Sequence, residues 1–307
     1  MDFLQPTSWA DALAVRAERS DAVPIAGGTD VMVDLNFDRR RPGALLDLGR
    51  VPELREWTVE DGTGGVGATG GVGGSTVRLG AGVPYSRIID DLGARLPGLA
   101  MAARTVGSPQ IRIRGTVGGN LGSASPAGDA HPPLLAAGAV VEVESAARGV
   151  RRIPAAEFFT GVKRNALEPD ELIAAVLVPE AVGPQQFCKV GTRNAMVIAV
   201  SAFACALHPD RRAVGTGIGS AAPTPRRAPE AEEFLAGELE SAGLWESRGD
   251  LPDGLARAFG ERVAAAASPI DDVRGSAAYR RHSLAVMARR SVTWAWAEYQ
   301  QDLRKAA

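Results

Sequence analysis

Residues 104–131, RTVGSPQIRIRGTVGGNLGSASPAGDAH, leave this chain fewer options than any other stretch of it. Gly107, Gly115, Gly118, Gly119, Gly122 and Gly128 are set among small hydroxyl residues, and there is almost no apolar bulk to bury. An ordinary loop has no need of adjacent glycines followed by Asn120 and a run of serine and alanine. A backbone pressed against a charged ligand does. Glycine leaves room beside the chain, so that successive amide N–H groups can converge on one anion. Ser123, Ser125 and Asp129 then offer side-chain hydrogen bonds around it. The phosphates of a nucleotide are the anion that this composition suits.

A second stretch, PIAGGTD over residues 24–30, repeats the theme: a short apolar lead-in, a glycine pair and a hydroxyl. Neither stretch fits G-x-G-x-x-G or G-x-x-x-x-G-K-[ST], so the dinucleotide and P-loop fingerprints both fail. Two glycine loops with no helix dipole behind them suggest a diphosphate held between two backbone segments. A pair of tight turns is the alternative.

At 307 residues the chain is long for one core and predicts two or three subdomains. Lys and Arg number 34 against 36 Asp and Glu, so nothing favours nucleic acid as a partner. No apolar run approaches the roughly 18–20 residues that a spanning helix needs. The opening MDFLQPTSWADAL carries acid instead of a basic start and an apolar centre, unlike a secretory signal, and predicts a cytoplasmic protein. Cys188 and Cys205 have no C-x-x-C spacing and cannot supply the four ligands of an iron–sulfur cluster, so buried thiols are expected. His131, His208 and His282 show no ligand spacing, so no metal site is expected.

In chain order, Ser8 paired with Asp11 starts a predicted helix over 7–20. Strands are predicted over 23–26 and 44–48, with 30–35 helical or extended. The glycine-rich run 61–75 reads as an enlarged turn between strands, because no side chain there offsets the backbone entropy. Sheet resumes at 76–82, and a helix over 85–103 breaks near Gly93 or Pro97. A short helix at 132–137 precedes a strand at 139–145, with Val141 and Val143 on one side and Glu142 and Glu144 on the other. Residues 151–162 and 172–178 continue the sheet. Runs 186–190, 197–207 and 213–221 predict a small antiparallel sheet, and 229–242, 255–267 and 277–303 predict helices. Trp294, Trp296 and Tyr299, near the end of the last helix, suit core packing or a partner surface.

AGGTD at 26–30 and GSPQIRIRGTVGGNLGSASPAGD at 107–129 resemble the FAD-binding subunit of the molybdenum hydroxylases, the family of carbon monoxide dehydrogenase medium subunits and xanthine dehydrogenase flavin domains. FCKVGTRNA at 187–195, GSAAPTPRRA at 219–228 and RGSAAYRRH at 274–282 extend the resemblance, in the family's order, over nearly the whole chain. One departure is Ile113, which stands where the family commonly has asparagine. The resemblance implies an α+β architecture: a vanillyl-alcohol-oxidase (PCMH-type) FAD-binding fold of two subdomains, 1–54 and 55–180. A C-terminal domain of antiparallel sheet and helices, 181–307, follows.

It also implies roles for residues. Ala26, Gly27, Gly28, Thr29 and Asp30 would grip the FAD diphosphate from one side, and Gly118, Gly119 and Asn120 from the other. Thr116 and Ser123 would bond the phosphate or ribityl region, and Asp129 would accept from ribose hydroxyls. Lys189, a cation among apolar neighbours, needs a partner. It is the candidate catalytic residue at the flavin end, where it would raise the reduction potential; a solvated edge lysine is the alternative. Arg193 is expected to reach a carboxylate. Phe187 and Tyr85 are the aromatics available to stack on the flavin ring. In the family, electrons cross 2Fe–2S clusters and leave through FAD to NAD⁺, a quinone or oxygen. This sequence has neither a cysteine frame for clusters nor a molybdenum domain. A small iron–sulfur subunit and a large molybdopterin subunit are therefore expected as separate chains. A stand-alone FAD oxidoreductase and a scaffold without flavin are the other functions compatible with the sequence.

Overall fold

The computed structural model describes residues 1–61 and 74–306, and its three main sheets follow one another along the chain. β1 (Asp2–Leu4) leads into α1 (Trp9–Glu18), whose N-cap Ser8 accepts from the Asp11 N–H, the pairing read from the sequence. β2 (Val23–Ile25), α2 (Val31–Asn36) and β3 (Ala44–Asp47) complete the first layer, with β3 between β1 and β2 and parallel to both. Strands this short bury little by themselves. The layer is held by what covers it: Leu13, Ala44 and Leu46 share one apolar core with the next sheet. The Trp9 indole N–H also donates to Glu144 Oε2 at 2.6 Å, across the same boundary.

The second sheet opens with β4 (Trp57–Glu60) and β5 (Thr76–Gly80). Residues 62–73 of the glycine-rich run, read as an enlarged turn, lie outside the described residues. The helix expected next is broken into α3 (Tyr85–Asp91) and α4 (Pro97–Thr105), at the predicted place. Residues 104–131 are not the helix-free loop expected. They contain α5 (Pro109–Arg114) and α6 (Val117–Ser123), and α7 (His131–Ala137) begins at their end.

β6 (Val140–Ser145) and β7 (Gly149–Pro154) then form a hairpin. The sheet expected over 151–162 stops at Pro154, where the chain turns into α8 (Ala155–Phe158) and a separate ribbon of β8 (Phe159–Gly161) and β9 (Arg164–Asn165). β10 (Leu172–Pro179) inserts at the centre, giving the antiparallel order β4-β5-β10-β6-β7. Both faces of β10 are covered, which is why its sequence, LIAAVLVP, is apolar without alternation. Glu142 is buried on β6, where Arg152 Nε (3.1 Å) from the adjacent β7 and Arg78 Nη2 (2.8 Å), reaching across β10 from β5, neutralise it.

The third sheet, β11 (Gln185–Val190), β12 (Ser201–His208) and β13 (Ala213–Gly219), is antiparallel in that order. One face covers a second core built with α9 (Pro229–Ser241), α10 (Leu244–Ser247), α11 (Asp253–Ala265) and α12 (Ala277–Ala306). Trp296 and Tyr299 pack there against Trp245, with ring centroids 5.9 and 6.1 Å away, whereas Trp294 is exposed. Cys205 is buried in this core, and the half-buried Cys188 has its Sγ 3.2 Å from Ser291 Oγ.

The other face of the third sheet meets α7, all seven residues of which are buried. A Cβ at Gly215 would lie 2.0 Å from the Ala136 carbonyl oxygen, and one at Gly217 would lie 2.0 Å from that of Pro132. The helix backbone therefore rests directly on the strand backbone. His208 Nε2 joins the same contact, 3.1 Å from Ala136 O. Gly217→Ala is expected to force this joint apart and to lower the melting temperature by several degrees, as an overpacked core site does. Gly237→Ala, on α9 with nothing within 4 Å of the added carbon, is expected to stabilise by about 0.5–1 kcal/mol. Thermal unfolding of the two variants decides the point; equal shifts would mean that the joint is loose.

Candidate functional site

The β2–α2 turn and the α5–α6 segment meet backbone to backbone. Gly28 leaves β2 with φ at +78°, a conformation that a side chain would strain. Beside it Gly27 has no room for a side chain: a Cβ there would sit 1.9 Å from the Arg114 carbonyl oxygen and 3.0 Å from Gly115 Cα. A Cβ at Gly115 would lie 3.6 Å from Thr29 Oγ1, and one at Gly119 would come within 4.0 Å of Ala26 Cβ. The structure thus brings together the two glycine stretches that the sequence paired. The N–H groups of Gly28, Thr29 and Asp30 find no acceptor among the described residues and stand free for a ligand.

Both stretches run into short helices, contrary to the expectation of loops without a helix dipole. In the second stretch the reason is capping, whereas α2 after the first has no side-chain cap at Asp30. Ser108 Oγ accepts from Ile111 N–H at 3.4 Å with Pro109 in the first turn of α5, and Thr116 Oγ1 accepts from Gly119 N–H at 2.9 Å to start α6. Gly118 serves proximity, since a Cβ would be 2.5 Å from both the carbonyl oxygen and the Cβ of Ala81. Of the three amides expected to face a diphosphate from this side, that of Gly119 is spent on Thr116 Oγ1 and that of Asn120 on the Thr116 carbonyl. The Gly118 amide has no acceptor among the described residues. Thr116 accepts through its oxygen and so keeps its hydroxyl proton to donate. Ser123 Oγ donates to the Asn120 carbonyl at 3.0 Å.

Asp129 and Lys189, given separate roles on sequence grounds, are partners. Lys189 Nζ lies 2.6 Å from Asp129 Oδ2 and 3.3 Å from the Thr105 carbonyl, with both side chains only 8% exposed. Lys189 is therefore no solvated edge lysine. Burial pushes the Asp129 carboxyl up, and the charge and hydrogen bond of Lys189 pull it back. Arg193 reaches no carboxylate among the described residues; its Nε donates to the carbonyls of Ala195 and Met196 in its own loop. Tyr85 is buried with its ring 3.4 Å from the Cβ position of Gly115, so it offers no open face for stacking. Phe187 is half-buried against Ala136, Ala204 and Ala206. Ile113 is exposed on α5.

Residues 1–181 match the family described as FAD binding domain in molybdopterin dehydrogenase, and residues 186–295 match the CO dehydrogenase flavoprotein C-terminal domain. This chain belongs to that FAD-binding family. It is similar to the nicotinate dehydrogenase FAD-subunit of Eubacterium barkeri, with 33% identity over 247 residues, 77% of this chain and 79% of that one. The xanthine dehydrogenase FAD-binding subunit of Escherichia coli O157:H7 is 31% identical over 296 residues, 92% of each chain. A chain of carbon monoxide dehydrogenase from Hydrogenophaga pseudoflava superposes with a TM-score of 0.82 at 27% identity, covering 97% of this chain and 98% of that one. The α+β, two-part flavoprotein fold expected from the sequence is the fold observed.

The residues present fit FAD. Bare main-chain donors line up at the first glycine stretch, and four buried polar atoms at or beside the second have no hydrogen-bond partner among the described residues: Tyr85 Oη, Asn120 Oδ1, Asp129 Oδ1 and His131 Nδ1. Tyr85 was considered from the sequence only as a stacking ring, and His131 only as a metal ligand. The signal for His131 was its place directly after the glycine stretch. It is completely buried, with Nε2 3.2 Å from the Asn120 carbonyl.

Two outcomes follow from this geometry. Gly119→Val keeps the fold, because the new carbon has only Thr116 Oγ1 close by, at 3.2 Å, but it fills the gap toward Ala26. Folded protein without flavin is expected, read by the visible spectrum and circular dichroism; full flavin occupancy would refute the placement. The second concerns acid. Burial depresses His131 and His208 to about 4, against about 6.5 in the unfolded chain. Each imidazole is neutral in the fold, so the unfolded chain takes up protons first as pH falls. The stability they contribute is complete above about pH 6.5 and is lost toward pH 4, roughly 3 kcal/mol each. Denaturant midpoints from pH 7 to 4 should fall over that window, and His208→Gln should flatten the fall; an unchanged slope would place the acid response elsewhere.

Proposed function

We propose that this chain is the electron-transfer flavoprotein subunit of a molybdenum hydroxylase, standing between 2Fe–2S clusters on a partner polypeptide and an acceptor that is NAD⁺, a quinone or oxygen. The observation that carries the reading is the backbone contact of Gly27 with Arg114 and Gly115, which sets the free amides of Gly28, Thr29 and Asp30 beside the segment that carries the free Gly118 amide. Bound FAD supplies the ability to take electrons singly and give them up in pairs. The chain's own residues bind and tune. Gly27, Gly28, Thr29 and Asp30 hold the diphosphate from one side, with Ala26 leaving the gap open. Gly118, Gly119 and Asn120 form the other wall, where the Gly118 amide and the Thr116 hydroxyl donate and Ser123 steadies Asn120.

Lys189 reaches the cofactor region from β11, with Asp129 as its counter-charge. In this reading residues 1–54 and 55–180 hold the nucleotide, and residues 181–307 bring the cation to it. The small iron–sulfur subunit and the large molybdopterin subunit are separate chains. No described helix is long and apolar enough to cross a membrane, and we place the complex in the cytoplasm.

Purification of the native complex tests the function: molybdenum, iron and FAD are expected together. The chain alone should bind FAD without oxidising a donor. A chain that turns over a donor by itself, or stays colourless after incubation with FAD, overturns the reading. The charge pair gives a sharper test. Lys189→Met leaves Asp129 buried and unmatched, costing about 3–5 kcal/mol of stability, and should lower the flavin reduction potential. Asp129→Asn leaves the cation unopposed and should raise it. Shifts on the order of tens of millivolts are expected from a unit charge at this range. Movement in one direction for both variants, in a spectroelectrochemical titration, would remove the pair from the flavin end.

A further inference from the structure

We propose that α2 and α5 together form the docking face for the iron–sulfur subunit: an apolar surface edged with arginine, which receives a negatively charged protein. That such a partner exists rests on the flavoprotein reading above; where it sits is read from the surface of this chain.

α2 (VMVDLN) and α5 (PQIRIR) are each six residues long, and neither has a buried residue. Every other α-helix buries at least two. Both are nonetheless rich in apolar side chains. Met32 and Val33 on α2, Phe37 just past it, and Ile111 and Ile113 on α5 all stand exposed, Phe37 at 68% and Ile113 at 60%. Helices this short are marginal by themselves and depend on packing an apolar face against something. These two turn that face away from their own chain, as surfaces that meet another molecule do.

The two helices meet at the nucleotide site. Arg114, the last residue of α5, has its carbonyl oxygen 1.9 Å from the Cβ position of Gly27, and the Cβ position of Gly115 is 3.6 Å from Thr29 Oγ1, two residues before α2 begins. The diphosphate does not account for the whole face, because α2 carries Phe37 about 10 Å along its axis from Thr29. Charge says what does. Residues 30–41 and 104–114 hold six arginines against three aspartates, in a chain whose net charge is −2. Only Arg41 is paired there, with Asp38; Arg39, Arg40, Arg104 and Arg114 have no carboxylate partner among the described residues. Arg39 lies over the Phe37 ring, with Cζ 5.1 Å from its centroid, so charge and apolar surface are interleaved. A 2Fe–2S cluster held by four thiolates is negatively charged, and opposite charge across a contact speeds encounter and fixes register. Seated on this face, the partner stands directly beside the flavin site that it serves.

The test is the ratio of iron to FAD that purifies with this chain, tagged and co-expressed with its iron–sulfur and molybdopterin subunits. Phe37→Asp and Ile113→Asp each place a charge on the apolar face at an exposed position. Each should keep FAD and the melting temperature of the wild type while the iron falls about tenfold or more. The double variant Arg39→Glu, Arg40→Glu should lose iron likewise. Val273→Asp, at a position 99% exposed outside this face, should keep it. Iron retained by the apolar variants or by the double arginine variant would overturn the proposal, as would equal loss in Val273→Asp. Loss of FAD together with iron would also overturn it, since the face would then be covering the cofactor. All three results leave the flavoprotein reading standing. Wild-type chain that carries FAD but no iron would bring down the electron-transfer reading and the docking face with it.

Discussion

Contact between two stretches of main chain, with no side chain between them, is the constraint on which this molecule turns. Gly27 lies against the Arg114 carbonyl and Gly115 because neither glycine carries a Cβ there. Main chains this close leave amide groups as the lining of the space beside them. Such a surface is rich in donors, which suits a diphosphate, an anion whose oxygens only accept hydrogen bonds. The parallel layer and the antiparallel sheet are the means of presenting these two edges to each other, and the core they share keeps them in place.

Much of this was legible from residues alone. The glycine pairs marked both edges, Ser8 and Asp11 marked the first helix, and the alternation over 139–145 marked β6. The helices of the central stretch were not legible, because glycine has poor helix propensity and no apolar periodicity runs through TVGGN. The caps Ser108 and Thr116 were in plain view but carry little weight without periodicity behind them. The end of β7 was missed for a similar reason: Pro154 turns the chain while the hydrophobic pattern continues through Phe158 and Phe159. The partnership of Asp129 with Lys189 is a tertiary fact. All the sequence offered was a lysine in an apolar run, which says that a partner exists and not which one.

The joint between the two parts obeys the same logic as the ligand site. Gly215 and Gly217 alternate along β13, so both face α7 and let helix and strand backbones touch, as Gly27 does at Arg114. Period-two glycine in a strand was the readable sign of this close approach. One device, removal of side chains at chosen points, thus serves both cofactor capture and domain assembly.

Lys189 gives this assembly a wider consequence. Asp129 lies in the part of the chain matched as a flavin domain, but its counter-ion is delivered by the part matched separately. Exchange of one part for that of a relative is constrained by this pair and by the bare joint. A transplanted C-terminal segment must bring a cation to the height of Lys189 and bare backbone opposite Pro132 and Ala136, or inherit a buried lone carboxylate. Each segment is thus fitted to the other at these contacts.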